Sequence, residues 1–160
     1  MSTKLGDMRP PHGLMRWLLR TPVWLYRLGL GGLLGDRFLL LTHIGRKSGR
    51  PRQSVLEVVE HDEATGAYVI ASGWGEKADW LRNIQKHPNV LVQSRGQRFE
   101  ATAERLSQEQ AASVARDYAR RHPSAFRALA GRMSGQPVTG TDADYHALAQ
   151  AVPFVILRPK

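Results

Sequence analysis

The chain has 160 residues, of which 42% are apolar and 23% charged, and this composition is typical of one globular domain with one core. It contains no cysteine, which excludes disulfides, thiolate metal sites and a cysteine nucleophile and fits a reducing cytoplasm. Its formal net charge of +9 favours anionic partners such as phosphates, nucleic acid, acidic lipids or a polyanionic cofactor.

The N-terminal region is expected to be a tail followed by a helical segment. Residues 1–11 carry charges of both signs and two consecutive prolines, so we expect a flexible tail and not a signal peptide. Between residues 12 and 34, apolar residues recur at roughly helical spacing, which predicts helix packed on the domain. Trp17 and Trp24 are interspersed there with arginines, so a helix that lies on a membrane surface or lines an apolar substrate pocket is the alternative. The most apolar stretch, 21–34, is too short to span a bilayer.

The apolar pattern then changes from a helical to a strand period. A turn signal at Glu63–Gly66 separates the second and third of the strands predicted here, which are Asp36–Ile44, Arg52–His61 and Ala67–Ser72. A short helix is predicted at Ala78–Lys86, with Asp79 as its N-cap.

The second half of the chain continues with a hairpin and further helices. Strands at Asn89–Ser94 and Gln97–Leu106 pair across the turn Arg95–Gly96. Ser107 and Gln110 form a capping box for a helix that ends near Arg121. The remaining predicted elements are a helical piece at Pro123–Met133, a short helix at Thr141–Ala149 and a last strand at Pro153–Arg158. Six strands with short helices between them favour a small antiparallel barrel that occupies residues 12–160 as one domain.

The segment Gly45–Arg52 (GRKSGRPR), which we call the basic hairpin, contains four cations, two glycines and a hydroxyl between two strands. Glycine allows turns with positive φ and close approach of backbone N–H groups to a ligand. Consecutive N–H groups in such a turn form an anion-binding nest, and arginine and lysine add charge. The pattern therefore indicates an anion site, with a solvated hairpin tip as the alternative. It is not a Walker loop, because the glycine spacing differs and no helix follows.

Two blocks of the sequence resemble one known family. Leu40–Arg52 (LLTHIGRKSGRPR) is similar to the signature of the deazaflavin (F420)-dependent nitroreductase family, within the split β-barrel flavin-binding superfamily. Tyr68–Val90 (YVIASGWGEKADWLRNIQKHPNV) is similar to the next segment of that family, and Pro153–Arg158 resembles its closing strand. The resemblance implies an α+β, single-domain, six-stranded split β-barrel with flanking short helices.

The same resemblance implies an oxidoreductase that transfers a hydride between coenzyme F420 and a small, apolar organic substrate. F420 carries a phosphate and an oligoglutamate tail, so a basic hairpin suits it. The residues carried over to phosphate and tail binding are Arg46, Lys47, Ser48, Gly49 and Arg52. Those carried over to the deazaflavin ring and the helix that closes the site are Ser72, Gly73, Trp74, Trp80 and Asn83.

Other assignments are weighed against this one. The alternatives are a reductase that uses FMN or FAD on the same barrel and a non-catalytic cofactor- or lipid-binding protein. The candidates for donating a proton to the substrate are Ser72, Tyr118 and solvent. The six histidines lack metal-ligand spacing, so no metal site is expected, although His43 could face the ring.

The expected partners and location follow from the charge pattern. The basic stretch on the late helices lacks the interleaved aromatics on which single strands stack, which argues against nucleic acid. We expect a cytoplasmic protein, with peripheral membrane contact as an alternative. The oligomeric state is left open, a homodimer included.

Overall fold

A computed structural model of the protein describes residues 38–72, 75–124, 126–127 and 141–160. The predicted tail at 1–11, the helical segment at 12–34, Gly73, Trp74 and most of Pro123–Met133 lie outside these described residues.

Six strands and three helices lie wholly within the described ranges. The strands are β1 (Phe38–Ile44), β2 (Pro51–His61), β3 (Tyr68–Ala71), β4 (Asn89–Ser94), β5 (Gln97–Arg105) and β6 (Phe154–Pro159). The helices are α1 (Asp79–Lys86), α2 (Gln108–Arg121) and α3 (Asp142–Ala151), and a 3-10 turn at Gly75–Lys77 precedes α1.

The strands close into a barrel in the order β1-β2-β3-β6-β5-β4, with every neighbouring pair antiparallel. Closure satisfies the hydrogen-bonding groups that would be unpaired at the edges of an open sheet. The predicted α+β fold, a six-stranded barrel with short flanking helices, is confirmed.

Alternate side chains of the strands fill the barrel interior. Leu39, Leu41, Ile70, Val92 and Leu157 are fully or almost fully buried there, as the period-two geometry of strands requires. Helix α1 adds further apolar side chains to this same core, namely Trp80, Leu81 and Ile84, and thereby packs against the barrel. A second core lies where α2 and α3 cover residues of β2, β3 and β6.

The helix starts are built as the sequence indicates, with one exception. The Ser107 hydroxyl accepts from the Gln110 backbone N–H, and the Gln110 side-chain oxygen accepts from the Ser107 backbone N–H. The predicted capping box is therefore confirmed. For α1 the predicted cap is wrong. Ala78 occupies the N-cap position without a side-chain bond, and Asp79 is the first helical residue. Its carboxylate instead forms an ion pair with the Arg46 guanidinium. None of the described helices is long and apolar enough to cross a bilayer.

Candidate anion-binding site at the basic hairpin

The turn of the basic hairpin is closed by its own backbone. The Gly45 N–H donates to the Arg50 carbonyl at 2.9 Å, and the Gly49 N–H donates to the Gly45 carbonyl at 2.8 Å. Gly49 has a φ of +69°, which glycine adopts without the penalty of a side chain. The Ser48 hydroxyl accepts from the Arg50 N–H at 3.2 Å. The hairpin is therefore a defined turn with its cations held around it.

Gly45 is required by close approach. A Cβ built at this position would lie 2.6 Å from Ser48 Oγ and 3.1 Å from Arg52 Nε. Both distances are below ordinary van der Waals contact, so any side chain here would displace the hydroxyl and the guanidinium. The missing side chain thus lets Ser48 and Arg52 converge on one spot.

A surface cavity of about 260 Å³ opens beside this turn. Its walls come from the basic hairpin and from one face of α1, and its lining residues are Gly45, Arg46, Lys47, Ser48, Arg52, Asp79 and Asn83. Five of these are residues that the sequence predicted for cofactor binding: Arg46, Lys47, Ser48, Arg52 and Asn83.

The cations of this cavity fall into two classes. The Arg46 guanidinium is already engaged: Nη1 lies 3.0 Å from Asn83 Oδ1, and Nη1 and Nη2 each lie 3.2 Å from Asp79 Oδ1. The side chains of Lys47 and Arg52, by contrast, form no hydrogen bond or ion pair with other residues in the described ranges. The backbone N–H groups of Lys47 and Ser48 likewise find no acceptor among those residues. Positive charge and unsatisfied donors are therefore present together in residues that line one cavity, as an anion site requires.

Two buried polar side chains, Asn83 and His43, connect the wall of the cavity to the barrel. Asn83 is 2% exposed, and its Oδ1 accepts from the Arg46 backbone N–H at 3.0 Å as well as from the guanidinium. His43 is also 2% exposed; its Nδ1 lies 3.0 Å from Asn83 Nδ2 and its Nε2 lies 3.1 Å from Ser54 Oγ.

Burial and, to a lesser degree, the positive charge of Arg52 together lower the pKa of His43 from 6.5 to about 4, and the Asp79 carboxylate opposes the change. The imidazole is therefore neutral at physiological pH.

The remaining predicted site residues lie elsewhere. Gly49 is exposed at the hairpin tip, and Trp80 is 6% exposed within the barrel core. Ser72 is fully buried, and its hydroxyl donates to the Gly75 carbonyl at 2.7 Å. Tyr118 packs on the second core and stacks at a tilt on His122. Trp80, Ser72 and Tyr118 are thus not brought to the cavity.

The structure also adds residues that were not among the cofactor-binding residues predicted from the sequence. Asp79 and Gly45 line the cavity, and Lys86 Nζ donates to the Arg46 carbonyl at 3.1 Å. Asp79 and Asn83 are four residues apart, and such pairs share one face of a helix. That spacing was the available signal for placing Asp79 in the site.

Comparisons with solved structures agree on the fold. An FMN-binding protein from Nostoc punctiforme related to pyridoxamine 5'-phosphate oxidase matches with a TM-score of 0.53 and 14% identity, over 96% of this chain and 82% of that one. The heme storage protein HutZ from Vibrio cholerae matches with a TM-score of 0.52 and 16% identity, over 79% and 84%. An F420-H2-dependent reductase matches with a TM-score of 0.45 and 24% identity, over 76% and 94%. The first two comparisons show that this chain shares the fold of those proteins.

The family comparison covers most of the chain. The profile of the F420H(2)-dependent quinone reductase family matches residues 18–140, a range that contains the basic hairpin, α1 and the strands β1 to β5. This match confirms the relationship to F420-dependent enzymes that the two sequence blocks predicted. The chain therefore belongs to the F420H(2)-dependent quinone reductase family and is an oxidoreductase.

Proposed function

We propose that this protein binds coenzyme F420 through the basic hairpin and transfers a hydride between the deazaflavin and a small, apolar acceptor of the quinone class. The family match supports F420-dependent oxidoreduction and suggests the class of acceptor. The observation that carries the assignment of the site is the cavity, where Lys47, Ser48 and Arg52 converge with donors that no described residue satisfies.

The residues present fit the anionic part of this cofactor. Gly45 provides a cradle that a Cβ would fill, and two cations with two backbone N–H groups surround it. A volume of about 260 Å³ is below the roughly 300–1,000 Å³ of pockets for whole drug-sized ligands. The cavity therefore suits a phosphate with an adjoining carboxylate and would not enclose the whole cofactor.

When bound, reduced deazaflavin supplies two electrons as a hydride. Binding and orientation are the tasks left to the chain: Lys47 and Arg52 neutralise the anion, and the Ser48 hydroxyl and backbone N–H groups fix its direction. Reduction of a quinone to a hydroquinone also needs a proton. The Ser72 hydroxyl proton is already donated to the Gly75 carbonyl, and Tyr118 packs on the second core. Solvent is therefore the proton source in this proposal.

The test is a titration of the purified protein with F420 and separately with FMN, followed by cofactor fluorescence, for wild type, Lys47→Ala and Arg52→Ala. A charge-assisted hydrogen bond contributes about 1.5–3 kcal/mol, so each substitution should weaken F420 binding by about tenfold or more. Arg98→Ala is the matched control, since Arg98 is an exposed arginine of β5 outside the cavity. Added salt should weaken wild-type binding and affect the two cavity variants less.

Turnover is tested by following the oxidation of reduced F420 by a short-chain benzoquinone. Preferential binding of FMN would assign the barrel a different electron carrier. Unchanged F420 affinity in both cavity variants would refute the proposed site, and F420 binding without turnover would refute the quinone-reductase assignment.

A further inference from the structure

A polar cluster lies in the barrel among side chains that are mostly apolar. His43 and Ser54 belong to the neighbouring strands β1 and β2, and Asn83 enters from α1. His43 and Asn83 are each 2% exposed. Burying hydrogen-bonding groups in a core is unfavourable unless each finds a partner. This polar cluster contacts the backbone and the side chain of Arg46, a residue that lines the proposed anion site.

The hydrogen bonds of Asn83 fix which end of its amide faces which neighbour. Its Oδ1 lies 3.0 Å from the Arg46 backbone nitrogen and 3.0 Å from Arg46 Nη1, and both of these atoms can only donate. Oδ1 must therefore be the acceptor, and Nδ2 is turned toward His43 Nδ1 at 3.0 Å. An amide nitrogen only donates, so Nδ1 carries the accepting lone pair.

This assignment fixes the tautomer of His43. A neutral imidazole with an unprotonated Nδ1 carries its proton on Nε2. Nε2 lies 3.1 Å from Ser54 Oγ, which can accept that proton. Each hydrogen bond from Ser54 through His43 to Asn83 and Arg46 then joins a donor to an acceptor.

Two arginines lie near the imidazole, and the positive charge of Arg52 favours its neutral form. Arg52 lies opposite His43 in the register of β1 and β2, and Arg46 reaches the same amide that His43 orients. Asp79, on α1, is the acidic group that faces this region. A proton on Nδ1 would place donor against donor at Asn83 and would turn the amide carbonyl away from Arg46.

We propose that His43 is a positioning residue of the anion site: as a neutral acceptor at Nδ1 it orients the Asn83 amide, which holds the backbone and guanidinium of Arg46 and so fixes the basic hairpin for its ligand. The identity of that ligand rests on the function proposed above. The chain of hydrogen bonds from Ser54 to Arg46, however, is present in the cofactor-free protein and can be tested there.

The first measurement is ¹⁵N NMR of the imidazole in the cofactor-free protein. The expected result at neutral pH is an unprotonated Nδ1 and a protonated Nε2 for His43. A protonated Nδ1 would overturn the proposal. This measurement is unaffected by whether F420 is the ligand, so its failure and the failure of the proposed function are distinguishable.

The second measurement compares two amide variants of the same position. His43→Asn keeps an acceptor at about the place of Nδ1, whereas His43→Gln keeps only a group at about the place of Nε2. The F420 affinity of His43→Asn should stay within about threefold of wild type, and that of His43→Gln should fall by about tenfold, the loss of one hydrogen-bond equivalent. In His43→Gln the Arg46 backbone amide should also shift in the ¹⁵N–¹H spectrum.

Ile70→Val serves as the control for loss of stability alone, since Ile70 is fully buried in the barrel core and lies outside the cavity and the polar cluster. Its F420 affinity should match wild type even where it unfolds earlier. Equal affinities of the Asn and Gln variants would overturn the proposal, as would an Ile70→Val variant as impaired as His43→Gln. If wild type binds no F420, the proposed function fails, while the imidazole spectrum and the Arg46 amide still decide the positioning role.

Discussion

Acid should destabilise the folded protein through His43. The folded-state pKa of this residue is about 4, below its ordinary value of 6.5, so the unfolded chain binds the proton more readily. The stabilising contribution is fully present above pH 6.5 and is lost as the pH falls from 6.5 toward 4. Because one pKa unit corresponds to about 1.4 kcal/mol, the complete loss is about 3 kcal/mol, of which about 2 kcal/mol is reached at pH 5.

The assay is urea unfolding of the cofactor-free protein at pH 8 and pH 5, for wild type and for His43→Asn. Carboxylates and the other histidines titrate in both proteins, so their effects cancel in the comparison. Wild type should lose about 2 kcal/mol more of its free energy of unfolding than His43→Asn over this range. Equal losses in the two proteins would refute the reasoning, because they would show that the buried imidazole binds its proton as readily as in the unfolded chain.

Four further substitutions separate effects on the cavity from effects on stability. Asp79→Asn removes the carboxylate that forms an ion pair with Arg46, so F420 should bind a few-fold more tightly in the same fluorescence titration. The free energy of unfolding should change by less than about 1 kcal/mol, because the pair is partly exposed. Weaker binding of F420 would count against an anion site. Gly45→Ala should weaken F420 binding by about tenfold or more, since its Cβ displaces the Ser48 hydroxyl and the Arg52 guanidinium. Gly49→Ala has open space around its Cβ but a φ of +69°, so it should lower stability by about 1 kcal/mol and change the affinity little. Equal effects of the two substitutions on affinity would refute the role of Gly45 in the site. Ser72→Ala should lower the free energy of unfolding in urea by about 1–2 kcal/mol and leave the rate of F420 reduction or oxidation unchanged, and a large loss of rate would identify its hydroxyl as the proton donor.

The sequence predicted the strands and turns because their signals are local. Glycine in the turns at Gly66 and Gly96 has positive φ, as the turn signals required. The capping box at Ser107 depends on residues three apart, so it could be identified without any tertiary information. Barrel closure could not be identified in this way, since the pairing of β1 with β4 and of β3 with β6 joins strands far apart in the chain.

The candidate site was predicted in part for the same reason. The basic hairpin is contiguous, so Lys47, Ser48 and Arg52 could be assigned together. Trp80 was assigned to the cofactor from its place in a motif, but the rotation of α1 directs it into the barrel core. The same rotation brings Asp79 and Asn83, one turn apart, to the hairpin side.

The sequence by itself determined the fold class, the relationship to F420-dependent enzymes and the concentration of cations in one hairpin, because these depend on local patterns and contiguous motifs. Only the tertiary structure decided which cations are available to a ligand. Arg46 and Lys47 are adjacent and look equivalent in the sequence, yet one is engaged by Asp79, 33 residues away, and by Asn83, 37 residues away. A side chain's charge is available or neutralised according to what packs beside it, and that depends on strand register and helix rotation, which are properties of the folded chain.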